Sequence, residues 1–175
     1  MKQLKYNTII GIIFVLATGT LAHFFYQWSG KNRIVGLFTP INESIWEHMK
    51  LLFFPMLLYA VYLVLKFRAQ YPCIAVSLCF GILAGTLLLP VFYYAYTTLL
   101  GRNVFVLDIA LFVLCILIAF GSSYQLTLHC SLENDQTHRN YRLLLYLCIC
   151  VLFVSFIIFS YYPPDLIIFK DPNTL

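Results

Sequence analysis

The stretch Asn42-Glu43-Ser44-Ile45-Trp46-Glu47-His48-Met49-Lys50 leads straight into Leu51-Leu52-Phe53-Phe54-Pro55-Met56-Leu57-Leu58-Tyr59-Ala60-Val61-Tyr62-Leu63-Val64-Leu65. Two carboxylates and an imidazole stand at the mouth of a run long enough to cross a bilayer, which takes about 20 mostly apolar residues. Ionisable groups are costly in lipid, so such a cluster is a functional-site candidate by default. The apolar run decides the fold class. Its polar head shows where to look for chemistry.

The rest of the chain follows the same rule. It has 175 residues, 62% of them hydrophobic and only 10% charged, with a mean hydropathy of +0.86. Soluble domains carry about 25% charged residues, so this set cannot build a water-facing surface. The length suits one all-α membrane bundle, a single transmembrane domain over residues 1–175. The net charge of +4 comes from basic residues scattered in twos between apolar runs. That pattern belongs to topology signals and not to a nucleic-acid patch. The expected partner is therefore the lipid bilayer, with no nucleic acid. A protein partner or homo-oligomer is left open.

Five runs qualify as spans: Asn7–Trp28, Ile45–Phe67, Pro72–Leu99, Val104–His129 and Tyr141–Tyr162. Gly30-Lys31-Asn32-Arg33, Lys66-Phe67-Arg68, Gly101-Arg102-Asn103 and the polar run Ser131–Asn140 mark the joints. Thr20-Leu21-Ala22 loosely resembles a signal-peptidase site, but the apolar run continues through Phe24, Phe25 and Tyr26, which favours retention of the first span. Lys and Arg number six on the side of the N-terminus against four or five on the other. This bias favours a cell-membrane protein with a cytoplasmic N-terminus and an outer C-terminus. Trp28 and Trp46 are expected in the outer aromatic belt. Gly81 and Gly85 form a GxxxG step for close helix approach. Pro55 and Pro90 are expected to kink spans two and three. The six cysteines form no CxxC pair and are expected to be reduced packing residues.

Placed on this map, the intramembrane and near-membrane acids fall on one side. His23 lies about one turn before the end of span one, Glu43, Glu47 and His48 at the start of span two, and Asp108 about one turn inside span four. Tyr93, Tyr94 and Tyr96 end span three there. Asn42 is expected to cap span two. Glu43 and Glu47, four apart, would then share a helix face and repel, unless a shared proton, a bound cation or a nearby base offsets the charge. Lys50, three residues after Glu47, can reach it. On an ideal helix His48 points about 100° away, beside Ser44 rather than Glu43. Asp108, between Leu107 and Ile109, has no adjacent cation and needs a partner or water. Single residues have plainer roles: Glu43 can favour the helix N-terminus, His48 can snorkel, and Trp46 can serve as a belt residue. His129 and His138 fall on the opposite side and carry no assigned role, and Glu133 and Asp135 read as a solvated loop.

The run Pro40-Ile41-Asn42-Glu43-Ser44-Ile45-Trp46-Glu47-His48-Met49-Lys50-Leu51 resembles the signature of a bacterial multi-pass membrane family known only as a domain of unknown function. His23-Phe24-Phe25-Tyr26-Gln27-Trp28 and the tail around Pro163-Pro164 and Phe169-Lys170-Asp171-Pro172 are similar to it as well. The resemblance covers nearly the whole chain. It implies a membrane location and a bacterial source, and it supplies no activity.

The sequence contains no HExxH, GxSxG, Walker or dinucleotide-binding motif. Glu43, Glu47, His23 and Asp108 would suit a divalent metal through oxygen and nitrogen ligands. Three function classes follow. One is a metal-dependent or acid/base enzyme on a lipid-like substrate, with Glu47, His48 and Asp108 as catalytic candidates and Asn42, Glu43, Trp46 and His23 as binding candidates. The second is a small transporter or proton-coupled carrier. The third is an accessory membrane subunit. A polar site on one side favours the first or third, and a water-filled route past Asp108 would favour the second.

Overall fold

The computed structural model describes residues 1–129 and 136–171. These residues are all-helical: α1 Lys2–Trp28, α2 Arg33–Phe38, α3 Ile45–Phe67, α4 Ile74–Leu100, α5 Phe105–His129 and α6 Gln136–Phe159, then a 3-10 turn at Ile167–Phe169. Five stretches are long and apolar enough to cross a membrane: α1, α3, α4, α5 and the Asn140–Phe159 part of α6. A 20-residue helix is about 30 Å long, the thickness of a bilayer's hydrocarbon core. The sixth helix, α2, lies in what the sequence shows only as a loop. It forms because Asn32 caps it, its side-chain oxygen accepting from the Ile34 and Val35 amides.

The central element is α3. Leu52, Phe53 and Met56 are fully buried, and they share one core with Ile82 of α4 and Ile116 and Phe120 of α5. The seam between α1 and α3 is made by small residues on one face of α1: Gly11, Val15, Gly19 and Ala22 are all buried. A Cβ on Gly19 would lie 2.5 Å from the Leu51 carbonyl oxygen, and one on Gly11 would strike the Tyr59 ring. These contacts set the register. Eight residues forward on α1 match eight residues back on α3 (Gly11 with Tyr59, Gly19 with Leu51). Four residues further on, His23 comes opposite Glu47 and His48.

The GxxxG step packs α4 on α5. Gly81 lies against the Ala119 carbonyl and the Ser123 hydroxyl, and a Cβ on Gly85 would lie 2.9 Å from the Cys115 carbonyl oxygen. Gly101 ends α4 in the left-handed region (φ 66), where a glycine carries no Cβ penalty. Pro55 and Pro90 both lie inside helices.

Two expectations are corrected. Cys73, just before α4, is disulfide-bonded and not a reduced packing residue. Its adjacent sequence has no CxxC pair to mark it. Cys79, Cys115, Cys148 and Cys150 are free. Trp46 is 9% exposed and not a belt residue. It packs on Phe156, Phe159 and Phe169, with ring centroids 4.7, 5.7 and 4.8 Å away. Trp28, 67% exposed, stays on the surface. Cys130, Glu133 and Asp135 lie outside the described residues.

Candidate functional site

The α3 N-terminus is built differently from the sequence expectation, and the difference makes the site. The N-cap is Ser44, whose hydroxyl accepts from the Glu47 amide at 3.4 Å. Asn42 works two residues upstream, its side-chain oxygen accepting from the Ser44 amide at 2.9 Å in an Asx turn. Glu43 therefore precedes the helix and does not share a face with Glu47. Its carboxylate folds back over the first turn instead, 3.5 Å from His48 Nε2 and 3.7 Å from His23 Nε2. The ideal-helix angle between Glu43 and His48 does not apply, because Glu43 is not helical.

The two acids thus take separate environments. Glu47 is buried and paired with Lys50 at 2.7 Å, and the same oxygen accepts from the Ile41 amide at 3.0 Å. Lys50 is fully buried. Its other donors reach the Gly36 carbonyl at 3.0 Å and the Ser160 hydroxyl at 2.5 Å. An ammonium has three donors, and all three are used. This knot ties α2, α3 and the end of α6 together.

Glu43 faces the two histidines, and the three groups form the described cluster suited to a metal ion. One ligand atom from each of His23, Glu43 and His48 lies within 4.8 Å of the others. Their side chains are 30%, 46% and 28% exposed, so the cluster lies at the surface of the bundle and is not sealed inside it. His48 Nδ1 lies 2.9 Å from the Ser44 carbonyl oxygen. A carbonyl only accepts, so Nδ1 donates to Ser44 and Nε2 is the nitrogen turned toward Glu43. The His23 and His48 rings lie 5.3 Å apart. His23 Nδ1 is buried with no hydrogen-bond partner among the described residues.

Asp108 belongs to a different group. It accepts from the Tyr96 hydroxyl, which also lies 3.0 Å from the Asn103 side-chain oxygen. The partner that the neighbouring sequence lacked is a tyrosine twelve residues earlier. The described structure therefore brings together His23, Glu43 and His48, and places Glu47 and Asp108 in two separate hydrogen-bonded groups.

The surrounding chain holds the loop over the site. The Glu43 amide donates to the Asp171 carboxylate at 3.3 Å, and Phe169 covers Trp46. The Tyr161 hydroxyl donates to the Arg33 carbonyl at 2.8 Å. Burial raises the Tyr161 phenol above its ordinary range, with Tyr26 adding to the shift, Arg33 opposing it and Glu47 adding. The group stays a donor at neutral pH. Lys50, Ser160 and Tyr161 carry the architecture of the site. Of the side-chain bonds just described that join these residues to other parts of the site, the one from Lys50 to Glu47 is local enough to read from the sequence.

Fold and site together define a helical membrane protein with a polar site at one end of its bundle. The chain belongs to a family of unknown function (DUF6512), whose family model matches residues 1–174. No curated protein and no solved structure matches it.

Proposed function

We propose that this protein binds a divalent metal at His23, Glu43 and His48 and uses it as a membrane enzyme on a lipid-like substrate. The observation that carries the reading is the ligand spacing. With metal bonds of about 2.0–2.1 Å, the ligand atoms of a tetrahedral site lie about 3.4 Å apart. The separations are 3.7 Å from Glu43 Oε1 to His23 and 3.5 Å from Oε2 to His48, near that spacing and too long for hydrogen bonds, and one ligand atom from each of the three groups lies within 4.8 Å of the others. The His48 ring is held as ligating histidines are, with its second nitrogen on a backbone carbonyl.

Three protein ligands leave a coordination position open, as catalytic sites do. A metal held there by His23, Glu43 and His48 would supply Lewis-acid chemistry for hydrolysis of an ester or phosphoester. The chain contributes the rest. Ser44 and the α1 register orient the histidines, and the Asp171 contact holds the Glu43 loop. Glu47, engaged by Lys50 and the Ile41 amide, holds the chain that leads into α3, and Asp108, bonded to Tyr96, takes no part at the metal in this reading. The position of the cluster near the end of α1 and the start of α3, two helices of spanning length, supports a site near a bilayer boundary, where an amphiphile would present its polar group.

The buried and fully paired Glu47–Lys50 knot supports a site served from one side, which disfavours a carrier. An exposed Trp46 would have favoured a partner surface, but this side chain is buried. The Lys and Arg bias supports the site face lying outside. The disulfide at Cys73, on the opposite face, supports the reverse, because disulfides persist in oxidising compartments. The site is reached from one aqueous face in either orientation.

The test is hydrolysis of amphiphilic esters and phosphoesters by detergent-solubilised protein, stripped by chelator and reloaded with zinc or manganese. Turnover restored by metal in wild type and absent in His48→Gln supports an enzyme. A wild type that binds metal but turns over none of these substrates contradicts the enzyme half of the reading.

A further inference from the structure

At the other end of the α1–α3 seam, the same register brings Asn7 opposite Tyr59, Tyr62 and Lys66. Asn7 is buried, with its carbonyl accepting from the Tyr59 hydroxyl at 2.7 Å. Its side-chain oxygen accepts from Tyr62 at 3.1 Å and from Lys66 at 3.0 Å. Lys66 also donates to the Tyr62 hydroxyl at 2.8 Å, and its ammonium lies 5.2 Å from the centre of the Tyr62 ring. This ammonium is therefore held in one place, unlike a freely snorkelling lysine.

Beside it opens a cleft of about 540 Å³ whose polar lining is Lys2, Gln3, Tyr6, Asn7, Tyr62 and Lys66. The lining contains two cations and no acid. Among the described residues neither lysine makes an ion pair. Two of Lys66's three donors are used within the protein, which leaves one for a ligand. Ile10 closes the apolar side of the cleft, and exposed apolar side chains continue from it along both helices. Ile10 and Ile13 run down α1, and Leu58 lies one turn from Tyr62 on α3.

We infer that this cleft holds the phosphate of an anionic phospholipid, with Lys2 and Lys66 on the headgroup and an acyl chain along Ile10, Ile13 and Leu58. The charge is complementary to the phosphate. The step from two lysines to an aliphatic track follows the layout of a lipid standing in its own leaflet. This inference is independent of the metal site at the opposite end.

Native mass spectrometry of the full-length protein tests it, using phosphatidylglycerol, phosphatidylcholine and soluble glycerol phosphate as probes. Wild type should retain phosphatidylglycerol over phosphatidylcholine. Lys66→Gln and Lys2→Gln should each weaken retention about fivefold, the worth of one cation near an anionic surface. Arg102→Gln, at the other end of the bundle, should not. Lys2 is an exposed residue, so its variant keeps the test valid even if Lys66→Gln unfolds. Equal retention in wild type and Lys2→Gln, or equal retention of the two lipids, would overturn the assignment. So would displacement by glycerol phosphate at concentrations matching the lipid, because the acyl chain would then contribute nothing.

Discussion

Lys50 Nζ lies 2.7 Å from Glu47 Oε2, with both side chains out of water. Removing one partner of a buried pair strands the other charge, which costs about 3–5 kcal/mol. Lys50→Met should therefore destabilise the protein strongly in detergent unfolding. The double variant Glu47→Gln, Lys50→Met should recover a large part of the loss, since no buried charge remains. Equal destabilisation by the single and double variants would contradict this role.

Trp46→Ala should cost about 3–5 kcal/mol, the usual range for truncating a buried aromatic. It should also make the tail after Tyr161 easier to proteolyse, because Phe169 loses the ring it covers. Trp28→Ala, at the exposed position, should change thermal stability far less.

Gly81→Ala should destabilise the α4–α5 pair by about 1–3 kcal/mol, a typical cost of overpacking. Its Cβ meets the Ala119 backbone, which cannot swing aside as a side chain can. Gly121→Ala, in open space on α5, serves as the control and should be tolerated.

Tyr161→Phe tests the tether of α2. Losing the bond to the Arg33 carbonyl should cost about 1 kcal/mol at neutral pH. The Tyr161 phenol is raised in the folded state by burial, so its contribution is fully present below the unfolded tyrosine value of about 10 and fades as pH rises through the folded one. Wild type should therefore lose this increment at alkaline pH, and Tyr161→Phe should lack that loss.

Much of the fold was legible because it is written locally. Five long apolar runs specify five apolar helices, and Glu47 to Lys50 is an i, i+3 pair on one helix. The site was only partly legible because it depends on distant partners and on one choice of cap. Asn42 and Ser44 are both good N-caps, and the choice of Ser44 moves Glu43 off the helix and onto His48. His23 joins through the glycine register of α1 on α3, a packing fact with no sequence motif. Ser160 lies 110 residues from Lys50, and Phe169 is farther still from Trp46 along the chain. Side-chain type alone placed Trp46 in the belt, because no local signal shows an aromatic cluster assembled from the far end of the chain.

The most direct measurement is the metal content of purified wild type beside His23→Gln, His48→Gln and Asp108→Asn, by elemental mass spectrometry on protein of verified fold. We expect about one divalent metal per chain in wild type and in Asp108→Asn, whose carboxylate is bonded to Tyr96. We expect loss in both histidine variants. Well-folded wild type that holds no metal after exposure to zinc and manganese, or histidine variants that hold as much as wild type, would contradict a metal centre at His23, Glu43 and His48.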